Sequence, residues 1–324
     1  MSFSSFPLLR LPFLALTEIF EMIELKEQFK LSLCSKRVHF AVKNYRRKSP
    51  MLLEFRGFKD YTDICLFSPK YSGYKVTFRL RAEGYIECWE AYNMEEIHFC
   101  FKERTERLFS GENTIDGTKF HVEFLCDLFD ANVEEVEVYD DKTWMLDFIE
   151  ERQGAFSYDA KVWDNYEYAF TDEQLRHVLL DLNPRSLDFY LIASDEFRLE
   201  NFHKKYDNLY VSAGKWVTIE NLFQLDCVEL MIYNRKFSST EINQYFKHVL
   251  RGGAPRLRKF RAEVQRPTEN WILDGIRELL TGFERVEDEL GNWNVKGTVA
   301  REEGLVVISI KSLFAYVILE IKET

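Results

Sequence analysis

The sequence predicts a mixed α/β protein: three short N-terminal helices, a strand-rich stretch, then a longer domain in which helices alternate with strands of a largely parallel sheet. Three observations carry this. Apolar residues recur at helical spacing three times before Pro50, capping motifs open helices between strand-like runs further on, and those runs follow one another at similar intervals. A chain of 324 residues with 46% apolar and 15% aromatic content supports one large core or two ordinary ones, which excludes disorder. The expected segments are 1–50, 51–119 and 120–324.

Pro12 suits the first turn of a helix, where its missing N–H costs nothing and its φ is already helical. Phe13, Leu16, Phe20 and Ile23 then share one face, with Thr17, Glu18, Glu21 and Glu24 opposite. Leu25 to Cys34 gives a second helix through Leu25, Phe29 and Leu33. Ser35 caps a third that carries Val38, Ala41, Val42 and Tyr45, and Ser49-Pro50 stops it. About 40 residues bury few apolar side chains among themselves, so this unit needs a partner or the rest of its own chain to pack on.

Leu11-Pro12, Ile19 seven positions later, and Phe29-Lys30-Leu31-Ser32-Leu33-Cys34-Ser35-Lys36 together resemble an F-box in order and spacing. The resemblance implies docking on the Skp-family adaptor of a cullin-based ubiquitin ligase, with Leu11, Pro12, Ile19, Phe20, Leu31, Cys34 and Lys36 as adaptor contacts. The sequence departs from the commonest pattern at Phe13-Leu14, where many members are acidic, and at Val38, where many have Trp.

Charge is split along the chain. Residues 1–50 carry nine Lys/Arg and four Asp/Glu; the remainder carries 34 basic and 50 acidic residues, within an overall net charge of −11. An acidic body lacks the basic stripe that displaces phosphate counterions, so no nucleic-acid partner is expected. Arg46-Arg47-Lys48 reads as a solvated helix end. The six cysteines form no CxxC pair and sit mostly in apolar runs, which fits a reducing compartment, the cytoplasm or the nucleus. The N-terminus has prolines, an arginine and no small-residue cleavage site, so it does not read as a signal peptide. No membrane span is expected: Leu305 to Ile321 is interrupted by Lys311 and Glu320 and reads as strand.

In 51–119, short apolar runs at 51–53, 64–67 and 76–78 alternate with glycines and Pro69, predicting strands and turns. Beyond Phe120, Val122, Leu125 and Phe129 share a helical face, and Val133 to Val138 alternates as a strand. Thr171-x-x-Gln174 caps a helix through Leu175, Val178, Leu179 and Leu182 that ends at Asn183-Pro184. Strands follow at Ser186 to Ile192 and Asn208 to Ser212, a short helix at Thr218 to Leu225, and a strand at Asp226 to Tyr233. Ser238-x-x-Glu241 caps a helix through Ile242, Tyr245, Phe246 and Val249, which Gly252-Gly253 ends. Leu257 to Val264 is again a strand, and Thr268 opens a helix through Ile272, Ile276, Leu279 and Phe283. Strand centres near 136, 189, 210, 230 and 260 give leucine-rich-repeat-like arithmetic, with one interval near 50 residues read as a long insertion. An ordinary α/β domain with a parallel sheet fits the same spacing.

Gly214 to Val228, Phe237 to Asn243 and Gly252 to Leu257 resemble the type 2 F-box-associated domain of a family expanded in nematodes, a likeness running from about 120 to 310 with a looser match at Trp293 to Gly297. The two resemblances imply a non-catalytic substrate-recognition subunit of a Skp-cullin-F-box ubiquitin ligase. The alternative is a non-degradative interaction module with F-box-like helices. Neither a cofactor nor a metal is called for. Gly111 to Lys119 has the wrong order for a P-loop, the histidines are scattered, and His98-Phe99-Cys100 offers two ligands where a metal needs more.

Strand alternation also places the target. If Val136, Val138, Leu187, Phe189, Leu191, Leu209, Val211, Val228, Leu230, Ile232, Phe260 and Ala262 face the core, the opposite row carries Tyr190, Tyr210, Met231, Tyr233 and Arg261, rimmed by Glu135, Glu137 and Lys259. An aromatic centre with a charged rim suits a protein partner. Coverage by another part of the chain would instead make the row a second core layer.

Overall fold

Pro12 and Ser35 mark the helix starts as their chemistry dictates. In the computed structural model α1 spans Phe13–Met22, α2 Leu25–Cys34 and α3 Lys36–Tyr45, and the Ser35 hydroxyl accepts from the Val38 N–H at 3.2 Å. The structure describes residues 8–46, 50–69, 74–81, 86–92, 103–104, 115–139, 142–164, 170–265, 269–289, 291–301, 304–313 and 315–323. His98, Cys100 and the stretch 111–114 lie outside them. Two compact units divide the chain, Met1–Glu137 and Val138–Thr324.

In the first unit the helices lead into β1 (Met51–Gly57), β2 (Tyr61–Phe67), β3 (Tyr74–Arg81), β4 (Ile86–Tyr92) and the short β5 (Glu103–Arg104), each antiparallel to the one before. Then come α4 (Ile115–Phe129) and β6 (Ala131–Tyr139), which lies beside β1 and contains the boundary between the units. Phe29 of α2 meets Phe78 of β3 with ring centroids 4.6 Å apart, so the helices and the meander share one core. α4 holds α3: Asp127 bonds Lys43 and lies 3.5 Å from His39, and Arg46 donates to the Leu128 carbonyl at 2.8 Å. Arg46, expected as a solvated helix end, is therefore buried. Its neighbour in space is a carbonyl that α4 leaves unpaired at its C-terminus.

The second unit contains α5 (Trp144–Gln153), β7 (Asp159–Trp163), α6 (Asp172–Arg176) continued by a π-helical turn (His177–Asp181), β8 (Ser186–Tyr190), β9 (Lys205–Val211), α7 (Ile219–Gln224), β10 (Asp226–Phe237), α8 (Ser239–Leu250) and β11 (Lys259–Val264). After them come the four-residue α9 (Glu269–Ile272) and the strands β12 (Thr281–Glu287), β13 (Trp293–Arg301), β14 (Gly304–Leu313) and β15 (Tyr316–Glu323). β7 to β11 lie side by side in chain order and all parallel; β15 then joins β11 antiparallel, followed by β14, β13 and β12. Parallel strands taken in order, with crossovers of one hand, put every connection on the same face of the sheet. The contacts agree. Tyr245 and Phe246 of α8 meet Phe260 at 4.8 and 6.0 Å, and Trp216 packs among Phe189, Phe197 and Phe202.

Three expectations are corrected. The interval near 50 residues holds no insertion but a full helix-and-strand unit, α5 with β7, whose strand turns only Ala160 and Val162 inward and so gives little apolar signal. The helix expected through Ile272 and Phe283 stops after one turn: Gly275 takes φ 65°, and the Asn243 amide holds the Ile272 and Asp274 carbonyls at 2.7 and 2.8 Å. A 3-10 turn (Arg277–Leu279) and the start of β12 take the place of its second half. Val228, expected in the core, is only half buried, and Cys227 is buried instead, because Val228 and Glu229 both lie off the buried face before alternation resumes at Leu230. The other inward residues, from Val136 and Val138 through Leu187, Phe189, Leu209, Val211, Leu230 and Ile232 to Phe260 and Ala262, are buried as expected.

Candidate functional site

One face of the second unit's sheet is taken up by the connections, and the other carries a row of rings. Side chains of one face on neighbouring strands stand about 5 Å apart, so aromatics at matching positions must touch. Trp163 stacks on Tyr190 with parallel planes and centroids 3.7 Å apart; Tyr190 lies 5.0 Å from Tyr210, Tyr210 5.1 Å from Tyr233, and Tyr233 5.8 Å from Tyr316. Tyr139 extends the row at 6.1 Å from Trp163. The Arg261 guanidinium lies 5.3 Å from the Tyr233 ring and 4.7 Å from that of Tyr316. Met231 stands in register between Tyr210 and Arg261. Burial, with Tyr233 and Asp188 near, holds the Tyr210 phenol above its ordinary range against the opposing effect of Arg261, so it is a neutral donor at physiological pH.

The five residues expected on this row, Tyr190, Tyr210, Met231, Tyr233 and Arg261, lie on one face and all are half buried. Sequence reasoning missed Tyr139, Trp163 and Tyr316. Trp163 was lost with β7, and Tyr316 joins only because β15 returns beside β11. Of the expected rim, Lys259 lies 3.9 Å from Glu229, whereas Glu135 and Glu137 belong to the first unit, where Glu137 pairs with Arg56.

The residues expected to meet an adaptor separate by burial. Pro12, Cys34 and Lys36 are exposed, Leu11, Ile19 and Leu31 are half buried, and Phe20 is fully buried with its ring 6.3 Å from that of Tyr45. Phe20 shares the inner face of α1 with buried Leu16, so it holds the helices together and is not part of the outer face. Large apolar side chains are nevertheless exposed on these helices: Phe13 at 63%, Leu14 at 75%, Met22 at 83% and Phe40 at 65%.

A family model described as F-box domain matches residues 8–50, and one described as F-box associated matches residues 199–262. The chain carries an F-box and an F-box-associated segment. The F-box match covers α1 to α3 and stops before β1. The F-box-associated match runs from before β9 into β11, narrower than the 120–310 expected, and it contains Tyr210, Met231, Tyr233 and Arg261. No curated protein and no solved structure matches the chain. F-box proteins with associated domains are typically non-catalytic adaptor subunits, and F-box domains typically bind the Skp-family adaptor of cullin complexes. Among the described residues no cluster of His, Cys, Asp and Glu is placed to hold a metal ion, and no helix is long and apolar enough to cross a membrane.

Proposed function

We propose that this chain is the substrate-recognition subunit of a Skp-cullin-F-box ubiquitin ligase in the cytoplasm or nucleus. The observation that carries the reading is the exposure of Phe13, Leu14, Met22 and Phe40 on the unit that matches the F-box. Around them Leu11, Pro12, Ile19, Leu31, Cys34 and Lys36 form the adaptor surface. The target binds the second unit, which we read as a leucine-rich-repeat-like coil, on the row Tyr190, Tyr210, Met231, Tyr233 and Arg261 with Trp163 and Tyr316. The chain makes and breaks no bond. It raises the effective concentration of target lysines at the loaded ubiquitin carrier.

Leu11→Asp with Pro12→Ala tests this. A carboxylate buried unpaired in an apolar interface costs several kcal/mol, so the adaptor and cullin should be lost from affinity purification while the melting temperature holds. Unchanged co-purification overturns the adaptor surface. Capture of the adaptor without a cullin would instead favour a non-degradative interaction module.

A further inference from the structure

A groove of about 720 Å³ opens at the ends of β8, β9 and β10, lined by residues that follow β8 and β9, by the last residues of β10 and by Glu263 of β11. The chain carries a net charge of −11, yet this groove is lined by four cations, Arg198, Lys215, Arg235 and Lys236, against two carboxylates, Asp195 and Glu263. Arg235 is already engaged, with Glu241 at 3.1 Å. Lys236, 69% exposed, meets Glu263 only at 3.9 Å, while the other two have no carboxylate partner among the described residues: Arg198 donates to the Asp195 and Phe197 carbonyls, and Lys215 is exposed. Trp216, 2% exposed, forms part of the wall, and its indole N–H has no acceptor among the described groups. Buried indole N–H groups ordinarily have one. Ile192 adds an exposed apolar side chain to the lining.

We propose that this groove takes an anionic peptide segment, with a carboxylate or phosphate held by Lys215, Lys236 and Arg198 and an apolar neighbour resting on Ile192. The inference deepens the receptor reading and rests on it for the source of the peptide. A nucleic acid fits less well, since its long phosphate backbone would meet the acidic remainder of the chain while the positive surplus is confined to one groove.

Fluorescence anisotropy with the full chain and a labelled peptide of alternating glutamate and leucine tests it, beside counterparts with phosphoserine or glutamine in place of glutamate. The glutamate or phosphoserine peptide should bind at least about tenfold more tightly than the glutamine one, and the better of the two names the anion. Lys215→Glu with Lys236→Glu changes exposed positions only, and should remove that advantage and flatten the salt dependence without moving the melting temperature. Equal binding of the glutamine peptide, no effect of the charge reversal, or tighter binding of a poly-dT oligonucleotide overturns the proposal. Adaptor co-purification by the same variant reports separately on the receptor reading: its persistence alongside lost peptide binding confines the failure or the effect to the groove.

Discussion

Trp163 and Tyr190, on adjacent parallel strands and in register, lie face to face with centroids 3.7 Å apart and planes parallel. Both rings are half buried, and the pair couples two successive strands from the face opposite the connections. A double-mutant cycle of Trp163→Ala and Tyr190→Ala in urea unfolding should give a coupling of ~0.5–1.5 kcal/mol. Additive losses would mean the rings merely coexist.

The row is expected to be a binding surface, so Tyr190, Tyr210 and Tyr233 changed together to Ser should lose target capture while retaining adaptor capture and a cooperative melt. A large fall in melting temperature would make these rings a second core layer.

Ile242 is fully buried and follows the capping box in which Ser238 and Glu241 satisfy each other's backbone N–H groups. Ile242→Ala should cost roughly 2–5 kcal/mol by chemical denaturation. A loss under about 0.5 kcal/mol would show that α8 does not seal the sheet.

His177 bridges two helical segments, with Asp147 at 2.8 Å and Asp181 at 2.9 Å. Burial alone would lower its pKa, but the hydrogen bonds and charges of Asp181 and Asp147 outweigh it, and the net shift is upward. Its contribution is therefore full below the unfolded pKa and is lost as pH rises through the folded one. Melting temperature should decline across that window in the wild type and decline less in Asp147→Asn. Equal slopes would exclude the bridge as the source.

Cys34 is exposed, whereas Cys65, Cys126 and Cys227 are buried; burial raises the Cys65 thiol and pushes that of Cys227 up to about 12. Iodoacetamide should modify Cys34 in the native chain and leave these three until unfolding. Added adaptor should protect Cys34. Undiminished labelling in the complex would place the contact elsewhere on the helices.

Local chemistry was legible in the sequence and non-local assembly was not. Ser35, Thr171 and Ser238 announce their helices because a cap and its partner lie within one turn, and all three caps are formed. Tyr190, Tyr210 and Tyr233 follow from strand alternation once buried neighbours are assigned. β7 escaped notice because its inward residues, Ala160 and Val162, are few and small. The helix expected beyond Thr268 has sound periodicity at Ile272, Ile276 and Leu279, but Asn243, distant in sequence, takes the carbonyls that would have continued it. Tyr316 and the groove depend on which strands become neighbours, and no window of sequence holds that information.

Because the parallel strands follow one another in order, each contributes its own outward letters to the row and its own inward letters to the core. Trp163 can be exchanged without touching Val162, Tyr190 without Phe189, and Tyr233 without Ile232. The outward row and the inward core are thus written in alternate characters of the same short words. A lineage could respell the one, strand by strand, while leaving the other intact.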